Sequence, residues 1–192
     1  MNKPVFDLVI VGVGGQGTLL ASKILGKLAV DAECGVKVSE VHGMSQRGGS
    51  VITHVRVGDR VHAPLVALGG ADYLLSFEAL EAARASAYLK KGGVLIVNTE
   101  RISPMPVITG AAQYPADPFE QIKDCKIEAV DALALAVEAG NQKALNLVLL
   151  GMLSRHLPFA EQAWKEAIAA CVPKKTLPVN LKAFESGRAC MA

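Results

Sequence analysis

Leu8-Val9-Ile10-Val11 runs without a break into Gly12-Val13-Gly14-Gly15-Gln16-Gly17, and this junction limits the fold more tightly than any other stretch of the chain. Four consecutive apolar residues leave no polar face for water. The run from Asp7 to Val11 is therefore predicted as a strand covered on both sides, as in a parallel sheet. The glycines permit positive φ in the turn and let the next helix pack closely on the strand. Leu19, Leu20, Ile24, Leu28 and Ala29 then recur at helical spacing between Thr18 and Val30. Gly35 to Glu40 follows as a second strand, with Val36 and Val38 on one face. Strand, helix and strand make a βαβ unit, which is expected to be right-handed.

The remaining chain keeps alternating strands and helices. Val51 to Val57 places Val51, Thr53, Val55 and Val57 on one face and Ile52, His54 and Arg56 on the other. Gly58-Asp59-Arg60 is predicted as a turn into a further strand near Val61-His62, a hairpin that would make the sheet mixed. Tyr73 to Phe77 and Val94 to Asn98 are predicted buried strands. Between them a helix runs from Glu78 to Leu89, with Leu80, Ala83 and Ala87 inward, and stops at Lys91-Gly92-Gly93. Pro104, Pro106, Pro115 and Pro118 make residues 103 to 118 a loop or an edge excursion. Lys126 to Val130 is the last predicted strand. Helices follow at Asp131 to Ala139, Ala144 to Arg155 and Phe159 to Ala170, with a short closing helix near Leu181 to Arg188. This order predicts an α/β protein, a three-layer Rossmann-like fold with a mostly parallel, mixed central sheet. No linker or internal repeat divides it, so residues 1 to 192 are expected to form a single domain.

Composition narrows the function classes. A chain of 192 residues with 51% hydrophobic residues buries enough surface to need no disulfide or metal staple. Lys plus Arg number 20 and Asp plus Glu 18, and the basic residues cluster only as pairs such as Lys90-Lys91 and Lys174-Lys175. Without a basic face, no nucleic-acid partner is expected. The long apolar runs, such as Leu145 to Leu153, are broken by Asn146 and Gly151 and fall short of the roughly 18 residues of a membrane span. Met1-Asn2-Lys3-Pro4 has neither an apolar signal core nor a small-residue cleavage site, so a cytoplasmic protein with no membrane partner is expected. Cys34, Cys125, Cys171 and Cys190 include no Cys-x-x-Cys pair, and neither zinc nor an iron–sulfur cluster is expected on this chain.

Gly12, Gly14 and Gly17 fit the Gly-x-Gly-x-x-Gly spacing of a phosphate-binding turn, where free amides and the helix dipole attract an anion. A dinucleotide site also needs an acidic residue at the end of the second strand, for the ribose hydroxyls. Glu40 is the candidate, but His42 and a polar loop follow it at once. A tight strand-to-helix turn without nucleotide is the simpler alternative. Gly15 makes the turn similar to that of ATP-dependent adenylating enzymes of the ubiquitin-activating type, whose Asp and Cys-x-x-Cys pair are missing here. The second loop, Glu40-Val41-His42-Gly43-Met44-Ser45-Gln46-Arg47-Gly48-Gly49-Ser50, is the more specific signal. Arg47 stands beside glycines, and a guanidinium fork suits a carboxylate or phosphate; it suits equally a tie between the loop and backbone carbonyls. Spacing suggests no Ser/His/Asp set, so no catalytic residue is assigned, and His42 is the best placed of the four histidines. Both glycine segments are expected near the carboxyl ends of neighbouring strands, where open α/β sheets place ligands. The candidate ligand- or partner-facing residues are Gly12, Gly14, Gly15, Gln16 and Gly17, with Ser45, Gln46, Arg47, Gly48 and Gly49.

These segments resemble the gamma-type subunits of 2-oxoacid:ferredoxin oxidoreductases, the indolepyruvate branch of that group above all. The matching residues are Gly12 to Gly17 and Glu40 to Ser50, followed by His54-Val55-Arg56, Pro64, Ala71-Asp72 and Glu78-Ala79-Leu80-Glu81. The resemblance implies a subunit of an enzyme that oxidatively decarboxylates an aryl 2-oxoacid, indolepyruvate, to the acyl-coenzyme A while reducing ferredoxin. It implies that thiamine diphosphate and the 4Fe-4S clusters sit on a large partner subunit, that coenzyme A is the co-substrate, and that ferredoxin is met through the holoenzyme. The isolated chain would then be inactive. Two alternatives stand beside this: a stand-alone Rossmann-type nucleotide-binding oxidoreductase, and a scaffold subunit whose glycine loops only pack on a partner.

Overall fold

The computed structural model describes residues 3–43 and 48–190. Among these residues six strands form one sheet in the order β2-β3-β1-β4-β5-β6. They are β1 (Phe6–Val13), β2 (Gly35–His42), β3 (Ser50–Gly58), β4 (Ala71–Ser76), β5 (Leu89–Asn98) and β6 (Lys126–Val130). β1, β4, β5 and β6 pair in parallel, whereas β3 pairs antiparallel with both β1 and β2. The sheet is thus mixed and mostly parallel, as expected, but for a different reason. The hairpin joins β2 to β3 and does not follow Gly58. Residues 59–70 hold no strand. Arg56 Nη1 donates to the Ala63 and Leu65 carbonyls and the Val66 amide donates to His54 Nδ1, so this stretch folds back across β3 as coil. The inserted β3 also separates the strands of the expected βαβ unit. β1 and β2 run the same way, yet they are not neighbours.

The helices are α1 (Thr18–Asp31), α2 (Ala79–Ala85), α3 (Met105–Ile108), α4 (Ala132–Ala139), α5 (Leu145–Leu153), α6 (Glu161–Cys171) and α7 (Leu177–Ala189). β1 shows why its sequence lacks alternation. Leu8 and Ile10 pack into the core shared with α1 and α4 to α7, while Val9 and Val11 pack with Ala82 and Ala85 of α2 on the other face. Both faces are dry, so both must be apolar. α2 has a different phase from the predicted one. The Glu78 side chain caps it by accepting from the Glu81 amide at 2.8 Å, and Ala79, Ala82 and Ala85 turn inward instead of Leu80, Ala83 and Ala87. The α-helix then stops at Ala85, a short 3-10 turn follows, and β5 starts at Leu89, before the glycines. Leu19, one of the apolar residues at helical spacing in α1, is 65% exposed. The proline-rich stretch contributes only the one-turn α3. α7 is longer than predicted because Pro178 lies in its first turn, where a missing N–H costs nothing. Among the described residues no helix is long and apolar enough to cross a membrane.

Every residue of α5 is buried, which marks it as a core helix instead of a half-exposed one. Its Gly151 meets α7 at backbone contact. A Cβ there would run into the Phe184 carbonyl oxygen and stand 2.9 Å from the Arg188 amide nitrogen. A Cβ on Gly187 would run into the Val148 carbonyl oxygen, with Val148 Cα 2.9 Å away. On the edge strand β6, Glu128 is fully buried and paired with three basic groups. Arg155 Nη2 and His156 Nε2 lie 3.2 and 3.1 Å from Oε2, and Lys126 Nζ lies 2.6 Å from Oε1. The Lys126 approach is off the hydrogen-bond axis, so it acts chiefly as an ion pair.

Two predictions follow from this packing. Glycine-to-alanine in a helix normally gains about 1 kcal/mol of propensity; here the backbone clash wins. Gly151→Ala and Gly187→Ala should each lose about 2 kcal/mol or more in urea unfolding, with Tm lower by about 4–8 °C. The second concerns acid. Burial alone would push the Glu128 carboxyl up, but its contacts with Lys126 and His156 hold it below the ordinary value of 4.5. A depressed folded-state pKa gives stability that is complete above the unfolded value and is lost as pH falls through the folded one. The urea midpoint of the wild type should therefore drop below about pH 4.5, and Glu128→Gln should show a shallower drop over the same range.

Candidate functional site

β1, β2, β4, β5 and β6 end, and β3 begins, at one edge of the sheet. From β1 the chain passes through α1 to β2 on one side, and from β4 through α2 to β5 on the other. The gap between β1 and β4 is thus a topological switch point, where open α/β sheets form their crevice. The first glycine turn lies there. Gly12 is required by close approach, since a Cβ would stand 2.9 Å from both Gln16 Oε1 and Phe77 Cβ. Gly17 is required by conformation, with φ of 92° at the start of α1. The buried Asn146 lies against it and donates from Nδ2 to its carbonyl at 3.4 Å.

Gln16 points inward and ties the turn together. Its Oε1 accepts from the Val13 amide at 2.8 Å, and its Nε2 donates to the Phe77 carbonyl at 3.1 Å and to Glu100 Oε2 at 3.3 Å. Asn98, fully buried, donates to the same two acceptors at 3.1 and 3.2 Å, and its Oδ1 accepts from the Ala132 amide at 3.0 Å. The ends of β1, β4 and β5 and the start of α4 are stitched at one point. Gln16 has therefore spent its polar atoms inside the protein.

The second glycine segment is joined to the first. The Gly14 amide donates to the Gly49 carbonyl at 2.8 Å, and the Gly48 amide donates to the Gly14 carbonyl at 3.4 Å. These bonds carry the β1–β3 ladder one step past Val13 and Ser50. The sequence-predicted glycines 12, 14, 15, 17, 48 and 49 thus come together in one strip. Ser45, Gln46 and Arg47 lie outside the described residues.

This geometry argues against a dinucleotide. Gly14's amide, which a phosphate cradle would aim at its ligand, is committed to Gly49. Glu40 lies two strands away from β1, about 9–10 Å at the usual strand spacing, and accepts from Thr53 Oγ1 at 3.1 Å. The cavity shared by Glu40, His42 and the Gly14–Gly15 turn measures about 180 Å³, below the roughly 300–1,000 Å³ of most ligand sites. His42 Nδ1 lies 2.9 Å from the Gly43 carbonyl and, among the described residues, joins no Ser or Asp.

A larger cleft of about 510 Å³ opens on the other side of the turn, between Gly15, Leu20, Glu100, Ile102 and Lys143. Gly15 belongs to both cavities, with open space at its Cα. Gly17 offers α1 no side-chain cap, which leaves the first-turn amides without a side-chain acceptor at this cleft. Apolar walls, one carboxylate and one lysine among the described residues suit the seating of a chain or ligand, and no nucleophile–base pair of described residues lines the cleft. Among the described residues, no three His, Cys, Asp or Glu side chains converge as metal ligands. Sequence reasoning missed Asn98, Glu100 and Asn146. Asn98 closes an apolar run and Asn146 interrupts one, and a polar residue in such a place is the available signal; Glu100, in the polar stretch after Asn98, carries none.

Residues 7–190 match the family model described as pyruvate ferredoxin/flavodoxin oxidoreductase. The chain is similar to the indolepyruvate oxidoreductase subunits IorB of Thermococcus kodakarensis (48% identical, 95% of this chain and 94% of that one) and Pyrococcus horikoshii (47%, with the same coverage). Its fold is similar to that of the pyruvate oxidoreductase subunit PORC of Thermotoga maritima, with a TM-score of 0.73, 22% identity and 97% of both chains covered.

Gln16→Ala would leave the Val13 amide and one bond to the Phe77 carbonyl unmade. It should cost about 1–3 kcal/mol in urea unfolding and speed hydrogen exchange of the Val13 amide; unchanged exchange there would mean the tie does not hold the turn.

Proposed function

The chain belongs to the pyruvate ferredoxin/flavodoxin oxidoreductase family, and we propose that within it this is the small, non-thiamine subunit of an indolepyruvate oxidoreductase. The near-full-length similarity to subunits of that name supports the substrate branch. The observation that carries the role is the union of the two glycine segments through Gly14 and Gly49. A strip of backbone with little side-chain cover, at the carboxyl edge of the sheet, suits close approach by a partner or a phosphate far better than it suits catalysis. In this proposal a large partner subunit holds thiamine diphosphate, which supplies the decarboxylation of the 2-oxoacid, and the 4Fe-4S clusters that pass electrons to ferredoxin. This chain acts as one cytoplasmic domain beside it. Its strip, with Arg47 at the loop, shapes the approach of coenzyme A to the partner's site.

A scaffold role is the second reading. It is favoured by one specific observation, that Gln16 and the Gly14 amide are already satisfied within the chain. A stand-alone nucleotide enzyme fits less well, for the reasons of strand order and cavity size given above.

Co-expression with the large subunit should give ferredoxin reduction that depends on both indolepyruvate and coenzyme A, and this chain alone should give none. In that complex Arg47→Ala should raise the KM for coenzyme A about tenfold or more, the scale of one lost charge-assisted hydrogen bond. An unchanged KM and turnover would remove the ligand role and leave the scaffold.

A further inference from the structure

Two buried carboxylates lie behind the glycine strip. Glu78 and Glu81 are 1% and 4% exposed. Carboxylates are taken out of water at considerable cost unless their oxygens are filled by donors, and these four oxygens are filled. Glu81 Oε2 accepts from Ser50 Oγ at 2.5 Å, and Oε1 accepts from Arg84 Nη1 at 2.6 Å. Glu78 Oε2 accepts from the Glu81 amide at 2.8 Å, and Oε1 accepts from the Ile102 amide at 3.0 Å and the Tyr114 hydroxyl at 2.5 Å. Burial and the bond to Glu78 raise the Tyr114 hydroxyl well above its ordinary pKa, so it remains a donor.

The chain of contacts begins and ends on the site. Ser50 opens β3 directly after Gly48-Gly49. Ile102 is on the wall of the larger cleft, which Gly15 also lines. The strip needs such an anchor. Gly48 has φ of 76° and open space around its Cα, and its bond to Gly14 is long, at 3.4 Å. Two adjacent glycines lose more conformational freedom on ordering than any other pair. The Ser50–Glu81 bond is the side-chain restraint that directly follows them.

We propose that Glu81 is a positioning residue for the glycine strip: its carboxylate fixes Ser50 and so holds Gly48-Gly49 in register against Gly14, while Glu78 links the same unit to the cleft wall at Ile102. The inference rests on the function proposed above in one respect, that the strip serves coenzyme A.

Ser50→Ala and Glu81→Gln test it from the two ends of the bond. Ser50 is exposed, so the serine variant keeps the test usable if the buried substitution fails to fold. In the full chain alone, Ser50→Ala should speed hydrogen exchange at the Gly14 amide about tenfold. In the co-expressed complex, each variant should raise the KM for coenzyme A severalfold, with kcat and the KM for indolepyruvate within about twofold of wild type. The double variant should be no worse than Glu81→Gln alone, since both changes break one bond. Unchanged Gly14 exchange in Ser50→Ala overturns the positioning role. Faster exchange with an unchanged KM for coenzyme A in an active complex overturns its link to that ligand. An inactive wild-type complex would instead count against the proposed function and leave the exchange result standing.

Discussion

β3 pairs with β1 from Phe6–Val57 to Val13–Ser50, and the ladder continues into the loops as Gly14 to Gly49. Much at this edge of the sheet depends on that antiparallel pairing. It sets β3 between β1 and β2, so the acid at the end of β2 lies one strand too far to serve a nucleotide on β1. It takes up the amide that a phosphate turn would present. It also fuses two glycine segments, 31 residues apart from Gly17 to Gly48, into one surface. A motif with phosphate-binding spacing has been turned into a junction by the strand laid next to it.

Behind the junction the edge is unusually polar for a protein interior. Gln16 and Asn98 both donate to the Phe77 carbonyl and to Glu100, and Glu78, which follows Phe77 directly, accepts from the Glu81 amide. Burying polar groups stabilises nothing by itself, since unmet donors and acceptors are costly. A satisfied network instead fixes one geometry. The apolar layers can do the work of stability, above all the backbone-to-backbone contact of α5 with α7. The polar network is then free to specify where the glycine backbone stands.

The central features of the fold were legible in the sequence because they follow from local pattern. Apolar runs mark β1, β4 and β5, closed by Gly12 at β1 and by Asn98 at β5, and the predicted strand Lys126–Val130 matches β6 to the residue. What local pattern cannot express is pairing. Val36 and Val38 look the same whether β2 lies beside β1 or beyond β3, so the strand order escaped. The phase of α2 depended on Glu78 acting as its cap, not on the apolar spacing of Leu80, Ala83 and Ala87. At the site the glycines were visible as spacing, and their union was not, because it is a contact across the sheet. Asn146 registered only as a break in an apolar run; its role against Gly17 needed the packed helix.

The central claim is that the joined glycine segments face a partner or coenzyme A and not a nicotinamide nucleotide. Hydrogen exchange of the full chain, measured alone, with the large subunit and coenzyme A, and with NAD, tests it most directly. The account predicts that amides of residues 13–17 and 48–50 gain protection with the large subunit and coenzyme A, while residues 59–70 at the opposite edge do not. Protection of the glycine turn by NAD alone, or none at this edge in the assembled complex, would contradict it.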